Sequence, residues 1–169
     1  LGDVYKRQVV VGIAVALMLI SPELVLIFGS PKYREAVYVI PPVAASVFFI
    51  FIYNILSMPQ FYYEKTQFLM AASMAAAGAN VVLNFIFIRL FGYIAAGYTT
   101  LACYMLYSVG HYIVSKRILV NEGIQENLMN PGFLLACSVF LIGASIICNL
   151  IFPYRILRYA ILLASAGLV

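Results

Sequence analysis

Residues 132–152 read GFLLACSVFLIGASIICNLIF, without one Asp, Glu, Lys or Arg. A helix that crosses the hydrocarbon core of a bilayer needs about 20 mostly apolar residues, and this stretch supplies them. A surface helix of a soluble domain carries a charged face as well, and this stretch has none. On either side of it, residues 9–28, 37–58, 68–88 and 93–115 are four more such segments, and 160–169 starts another that is too short to cross. The connections between them are GSPKYREA, PQFYYEKTQ, RLFG, KRILVNEGIQENLMNP and PYRILRY. The fourth is the longest and most polar. It marks a boundary at 118–131 between a unit of four transmembrane helices, 9–117, and a terminal pair, 132–169. The expected fold is all-α, a polytopic transmembrane helix bundle.

Composition agrees. Of 169 residues 65% are hydrophobic and 9% charged, with a mean hydropathy of +1.04. Soluble domains carry about 25% charged residues, so a soluble enzyme, a nucleic-acid module and a disordered tail are excluded together. The net charge of +4 comes from ten basic residues scattered between apolar runs, which form no stripe for a nucleic acid. Basic residues do not orient the bundle either. Lys32, Arg34, Arg89, Arg155 and Arg158 fall on the odd-numbered connections, and Lys65, Lys116 and Arg117 on the even-numbered ones, which is no bias per loop. Cys103, Cys137 and Cys148 lie in apolar runs without metal or redox spacing. HExxH, GxSxG, CxxC and phosphate-cradling glycine motifs are absent. Neither an enzyme activity nor a metal or cofactor is expected.

The first eight residues, LGDVYKRQ, are polar and charged and abut VVVGIAVALMLI abruptly. They resemble the translated end of a transposon adaptor used to build sequencing libraries. Residues 1–8 are therefore expected to be an artefact outside fold reasoning, leaving a fragment that starts mid-protein and stops inside the apolar run ILLASAGLV.

Helix interiors carry the candidate functional residues. Residues 71–80, AASMAAAGAN, place Ala71, Ala75 and Ala79 four apart beside Gly78. Small residues at that spacing let helix backbones approach closely in lipid, so Ala75→Leu is expected to disturb folding far more than Leu83→Ile. Asn80 and Asn84 share a face one turn apart. Pro22, Pro41 and Pro42 lie inside apolar runs and imply kinks or broken turns. Glu122 and Glu126 are paired at helical spacing in the longest connection and read as solvated loop charges. Glu23 stands alone in an apolar stretch, where a carboxylate is a candidate for ion coupling or an interfacial residue at a kinked helix end. His111, the one histidine, shares a helix face with Tyr93, Gly97, Thr100, Tyr104 and Tyr107. Such a polar-aromatic stripe either packs on another helix through hydrogen bonds or borders a wet cavity. In the second case Thr100, Tyr104, Tyr107 and His111, with Asn80 and Asn84, line a substrate path.

The order of features from Pro22 to Arg117 resembles the C-terminal half of a bacterial oligosaccharide or polysaccharide flippase of the multidrug/oligosaccharidyl-lipid/polysaccharide exporter superfamily. The matching stretches are SPELVLIFGSPKYREA, YYEKT and NVVLNFIFIRLFGYIAAGYTTLACYMLYSVGHY. Within them Pro22, Gly29, Tyr33 and Ala36 match the first pattern, and Tyr62, Lys65 and Thr66 the "Y..KT" connection. Asn80 and Asn84 match "N...N", and Phe91, Gly92, Ala95, Ala96, Thr99 and Thr100 match "FG..AA..TT". Ala95 departs from the Gly that many relatives carry. The terminal pair fits the 14-helix branch in position and not in motif.

The resemblance implies two six-helix lobes facing each other in a V, of which this chain is the later part of the second lobe. It implies the flipping of a polyprenyl-pyrophosphate-linked oligosaccharide across the bacterial plasma (inner) membrane by alternating access. The partners implied are that substrate, membrane lipid and the missing N-terminal lobe. The YYEKT and KRILVNEG connections would face the cytoplasm. Only Arg89 here, near a helix end, could meet a pyrophosphate, so that site is expected in the missing part. A drug or cation antiporter of the same superfamily would share the architecture. A membrane-bound acyl- or glycosyltransferase using His111 as base is the remote alternative.

Overall fold

The computed structural model describes residues 2–29, 31–124 and 129–166. Among them every regular element is helical: α1 Gly2–Phe28, a 3-10 segment Pro31–Tyr38, α2 Ile40–Tyr62, α3 Thr66–Phe91, α4 Ala95–Asn121, α5 Pro131–Ile151 and α6 Arg155–Ala166. By length and composition α1, α2, α3 and α5 can each cross a membrane. Helix α4 is long enough, but its tyrosines, serines, His111, Lys116 and Arg117 dilute its hydropathy. Residues 2–8 continue α1 as helix, with the Arg7 guanidinium 5.8 Å from the centre of the Phe133 ring.

The prolines expected to kink or break helices take two different places. Pro41 and Pro42 occupy the first turn of α2, where the missing N–H would have no partner anyway. They start the helix. Pro22 sits inside a continuous α1. Its missing N–H leaves the Met18 carbonyl unbonded by the backbone, and the buried Ser21 hydroxyl donates to that oxygen at 2.7 Å. The freed acceptor is satisfied within the helix, as an apolar environment requires.

Helix α2 is the hub. Ala45, Phe48, Ile52 and Leu56 are fully buried, and they meet Met18 of α1 and Leu141 of α5 in one hydrophobic core. On its other side lies α4, running parallel. Ser108 Oγ donates to the Phe49 carbonyl at 2.9 Å and Ser115 Oγ to the Leu56 carbonyl, both across 59 residues of chain. A constant offset over two turns defines a parallel, in-register seam. At its N-terminal end Gly97 is buried against Val39 and Pro42.

Helix α3 connects these parallel helices and has no buried residue. It leans on α4 through the half-buried Leu69, Ala72, Ala76, Ala79, Asn80, Leu83 and Asn84. The small face expected to pack does so only at its end: Ala79 is half-buried, whereas Ala71 and Ala75 are exposed and Gly78 has open space around it. The packed line is Ala72–Ala76–Asn80, one residue round the helix. Ala76→Leu is therefore expected to lower the midpoint of thermal unfolding by several degrees in detergent, while Ala75→Leu leaves it unchanged. Equal losses for both would restore the expected face. The opposite side of α3 exposes Met70, Met74, Val81 and Phe85, an apolar surface that needs lipid or protein against it.

The connections set the remaining geometry. Helix α2 runs past Pro59 to Tyr62, and Glu64 takes a left-handed φ of 57° before α3 begins. Gly92 ends α3 with φ +79°, a conformation that favours glycine. Residues 118–121 belong to α4, so the polar connection expected at 118–131 starts at Glu122. Its Glu126 lies outside the described residues, as do 167–169. Asn130 Oδ1 accepts from Gly132 N at 2.9 Å and caps α5.

Candidate functional site

The expected stripe on α4 can be followed turn by turn. Tyr93 lies in the turn ahead of the helix, exposed, and donates its hydroxyl to Glu35 Oε2 at 2.7 Å. That bond, with a little desolvation and the carboxylate's charge, holds the Tyr93 phenol above its ordinary range. Thr100 is half-buried. Its neighbour Thr99 is buried and donates to Asn84 Oδ1 of α3, with the Ala96 carbonyl 3.0 Å away. Asn84 Nδ2 in turn donates to Asn80 Oδ1 at 2.8 Å. Two of the expected path residues, Asn80 and Asn84, are thus joined to α4 through Thr99.

Further along, Tyr104, Tyr107 and His111 gather around a residue from another helix. Tyr53 of α2 has ring-centre distances of 6.4 Å to Tyr104, 4.7 Å to Tyr107 and 5.8 Å to His111. Tyr107 meets His111 edge to face at 4.4 Å, and its hydroxyl lies 2.6 Å from Ser73 Oγ of α3. His111 is 1% exposed. Its Nδ1 lies 2.8 Å from Gln60 Nε2, which also reaches Ser115 Oγ at 3.0 Å. The stripe is therefore a junction of α2, α3 and α4, held by rings and hydrogen bonds. Tyr104 and Tyr107 keep partial exposure, whereas His111 is sealed.

Sequence reasoning missed Gln60, Tyr53, Ser108 and Ser115. A signal was there: Tyr53 and Gln60 lie seven apart on one helix, and Ser108 and Ser115 seven apart on another. Seven residues is two turns, so each pair shares a face. A polar face on α2 and another on α4 are what a hydrogen-bonded seam needs. Buried polar groups must find partners, and here they find one another.

Glu23 is elsewhere. Arg158 of α6 is 2% exposed and pairs with Glu23 Oε1, to which the Tyr159 hydroxyl also donates at 2.6 Å. Glu23 Oε2 and Arg158 Nε are buried without partners. The carboxylate that looked solitary in sequence faces a cation 135 residues away along the chain. A third polar contact ties α5 in: Asn149 Nδ2 donates to the Tyr98 hydroxyl at 2.9 Å and reaches the Tyr38 carbonyl at 3.3 Å.

Chemically, the junction of α2, α3 and α4 offers hydroxyls, amides, one imidazole and aromatic faces. These are neutral groups suited to holding polar, uncharged matter or one another. Among the described residues no group of three or more His, Cys, Asp and Glu could hold a metal ion. No family model, no curated protein and no solved structure matches this chain.

Proposed function

We propose that this chain is the later part of the second lobe of an exporter that flips a polyprenyl-pyrophosphate-linked oligosaccharide across the bacterial plasma membrane. The observation that carries the reading is the hydrogen-bonded chain Asn80–Asn84–Thr99. It clasps the "N...N" residues of one helix to the "TT" residues of the next, which gives two separate parts of the resemblance one physical role. The other quoted stretches fall at element boundaries: Gly29 after α1, YYEKT between α2 and α3, and FG between α3 and α4. Transport by alternating access then has helices to move and a polar-aromatic junction between them. The pyrophosphate-binding cations belong to the missing part. An antiporter of the same superfamily is the alternative, with its acidic coupling residue expected in the first lobe, outside this chain; Glu23 of this chain is paired with Arg158.

The experiment is deletion of the full-length gene that carries this chain. Loss of surface polysaccharide with accumulation of the lipid-linked oligosaccharide in the inner leaflet is the expected result, restored by the parent gene. Unchanged surface polysaccharide with a new sensitivity to drugs or cations would instead establish the antiporter.

The path residues have their own test. Single cysteines at Thr100, Tyr104, Tyr107 and His111, in the full-length protein with Cys103, Cys137 and Cys148 replaced, are treated with a water-soluble thiol reagent. Labelling is expected at 104 and 107, which keep partial exposure, and not at 111. Resistance at all four, with transport intact, would make the stripe a packing surface and put the sugar path elsewhere.

A further inference from the structure

The hydrogen bonds around His111 determine which of its nitrogens carries the proton. Ser115 Oγ has one hydrogen, and it is donated to the Leu56 carbonyl, which can only accept. Ser115 Oγ therefore accepts from Gln60, so the amide atom 3.0 Å away is the nitrogen. That same nitrogen faces His111 Nδ1 at 2.8 Å, much nearer than the His111 carbonyl oxygen at 3.5 Å, and spends its second hydrogen on the ring. Nδ1 is the acceptor, and the neutral ring holds its hydrogen on Nε2. Both ends of this relay are closed: Gln60 is 0% exposed, Ser115 0% and His111 1%. Gln60 Oε1 and His111 Nε2 are buried and have no partner.

We propose that the His111–Gln60–Ser115 relay is a proton-operated joint between α2 and α4. Taking one proton onto Nδ1 sets an N–H donor against the donor face of the Gln60 amide. The amide must turn over so that Oε1 accepts from Nδ1–H. Ser115 Oγ then faces an oxygen with its one hydrogen committed to Leu56. It must give up either the Gln60 contact or the Leu56 bond, so the α2–α4 seam loses a hydrogen bond whichever it keeps. Gln60 lies two residues from the end of α2, beside the connection to α3, so the change is delivered where α2 hands over to the next helix.

The surroundings can receive the charge. Tyr53 from α2 lies nearly parallel to the imidazole with ring centres 5.8 Å apart, and ring faces attract cations; Tyr107 from α4 meets it close to a right angle at 4.4 Å. Helix α3 contributes Ser73, through the Tyr107 hydroxyl, and no charged group to this contact. The charges nearest along the chain, Glu64, Lys65, Lys116 and Arg117, are all exposed. The proton comes from solvent, which reaches the ring only when the seam opens locally, since His111 is 1% exposed.

Nitrogen-15 histidine labelling of the full-length protein in lipid bilayers reads this ring by solid-state NMR as the signal that His111→Gln removes, His111 being the one histidine of these 169 residues. At neutral pH the spectrum is expected to show Nε2 protonated and Nδ1 bare, and on acidification both protonated. Spin labels at Met58 and Ile113, exposed on α2 and α4, report the seam after the three cysteines are replaced. Their distance is expected to change over the same pH range. In His111→Gln it stays constant, and in Gln60→Glu, whose carboxylate accepts from Nδ1–H, it holds the acid value throughout. Nδ1–H at neutral pH overturns the proposal. So does a ring that stays singly protonated down to pH about 4, well below the ordinary histidine range. A distance that ignores the ring's charge, or one that still responds in His111→Gln, overturns it equally.

Discussion

Glu23→Gln is expected to destabilise the chain by about 3 kcal/mol or more, because it strands a guanidinium that is 2% exposed. Arg158 has no water to fall back on, and its Nε is already without a partner. Arg158→Met should cost less, since Glu23 is 26% exposed and can rehydrate. Replacing both, as Glu23→Leu with Arg158→Met, should recover most of the loss, because a desolvated ion pair contributes little beyond what an apolar pair of similar volume would. Thermal unfolding in detergent measures all three. If Glu23→Gln unfolds at the parent temperature, the pair is not a structural tether. Abolished transport at unchanged stability would then return Glu23 to the ion-coupling role that its sequence position suggested.

Gly97→Ala is expected to cost about 1–3 kcal/mol, the ordinary penalty for overpacking a close contact. A Cβ there would stand 2.8 Å from Pro42 Cγ and 2.9 Å from the Val39 carbonyl oxygen. The proline ring is rigid and the carbonyl is backbone, so neither yields without parting α2 from α4. Gly78→Ala and Gly110→Ala are the controls, because a Cβ at either position meets nothing within 4 Å. Both should be neutral or stabilising by up to about 1 kcal/mol, as alanine favours helix over glycine. Comparable losses at all three would mean that the seam is looser than the Gly97 contact implies.

Hydropathy read along the chain was enough to give a set of apolar helices with short connections. Charge-free runs of the right length have few other uses, and the helices α2, α3 and α5 fall within a few residues of the segments read from hydropathy. Residue spacing also determined that Asn80, Asn84, Tyr104, Tyr107 and His111 stand on shared faces, because the helical period is local and needs no knowledge of neighbours. Which face meets which helix was settled only by tertiary structure. The small face of α3 at Ala71 and Ala75 is as good by spacing as the line Ala72–Ala76 that packs. The choice depends on where α4 lies, and α4 is placed by its seam with α2. Gln60 reads as a residue of the loop after Pro59, since proline ends most helices; in the fold α2 continues one turn further and Gln60 becomes the buried partner of His111. Glu23 and Arg158 read as two unrelated charges. Their pairing is a contact between the first and last helices, and no local pattern carries the distance between residues so far apart along the chain.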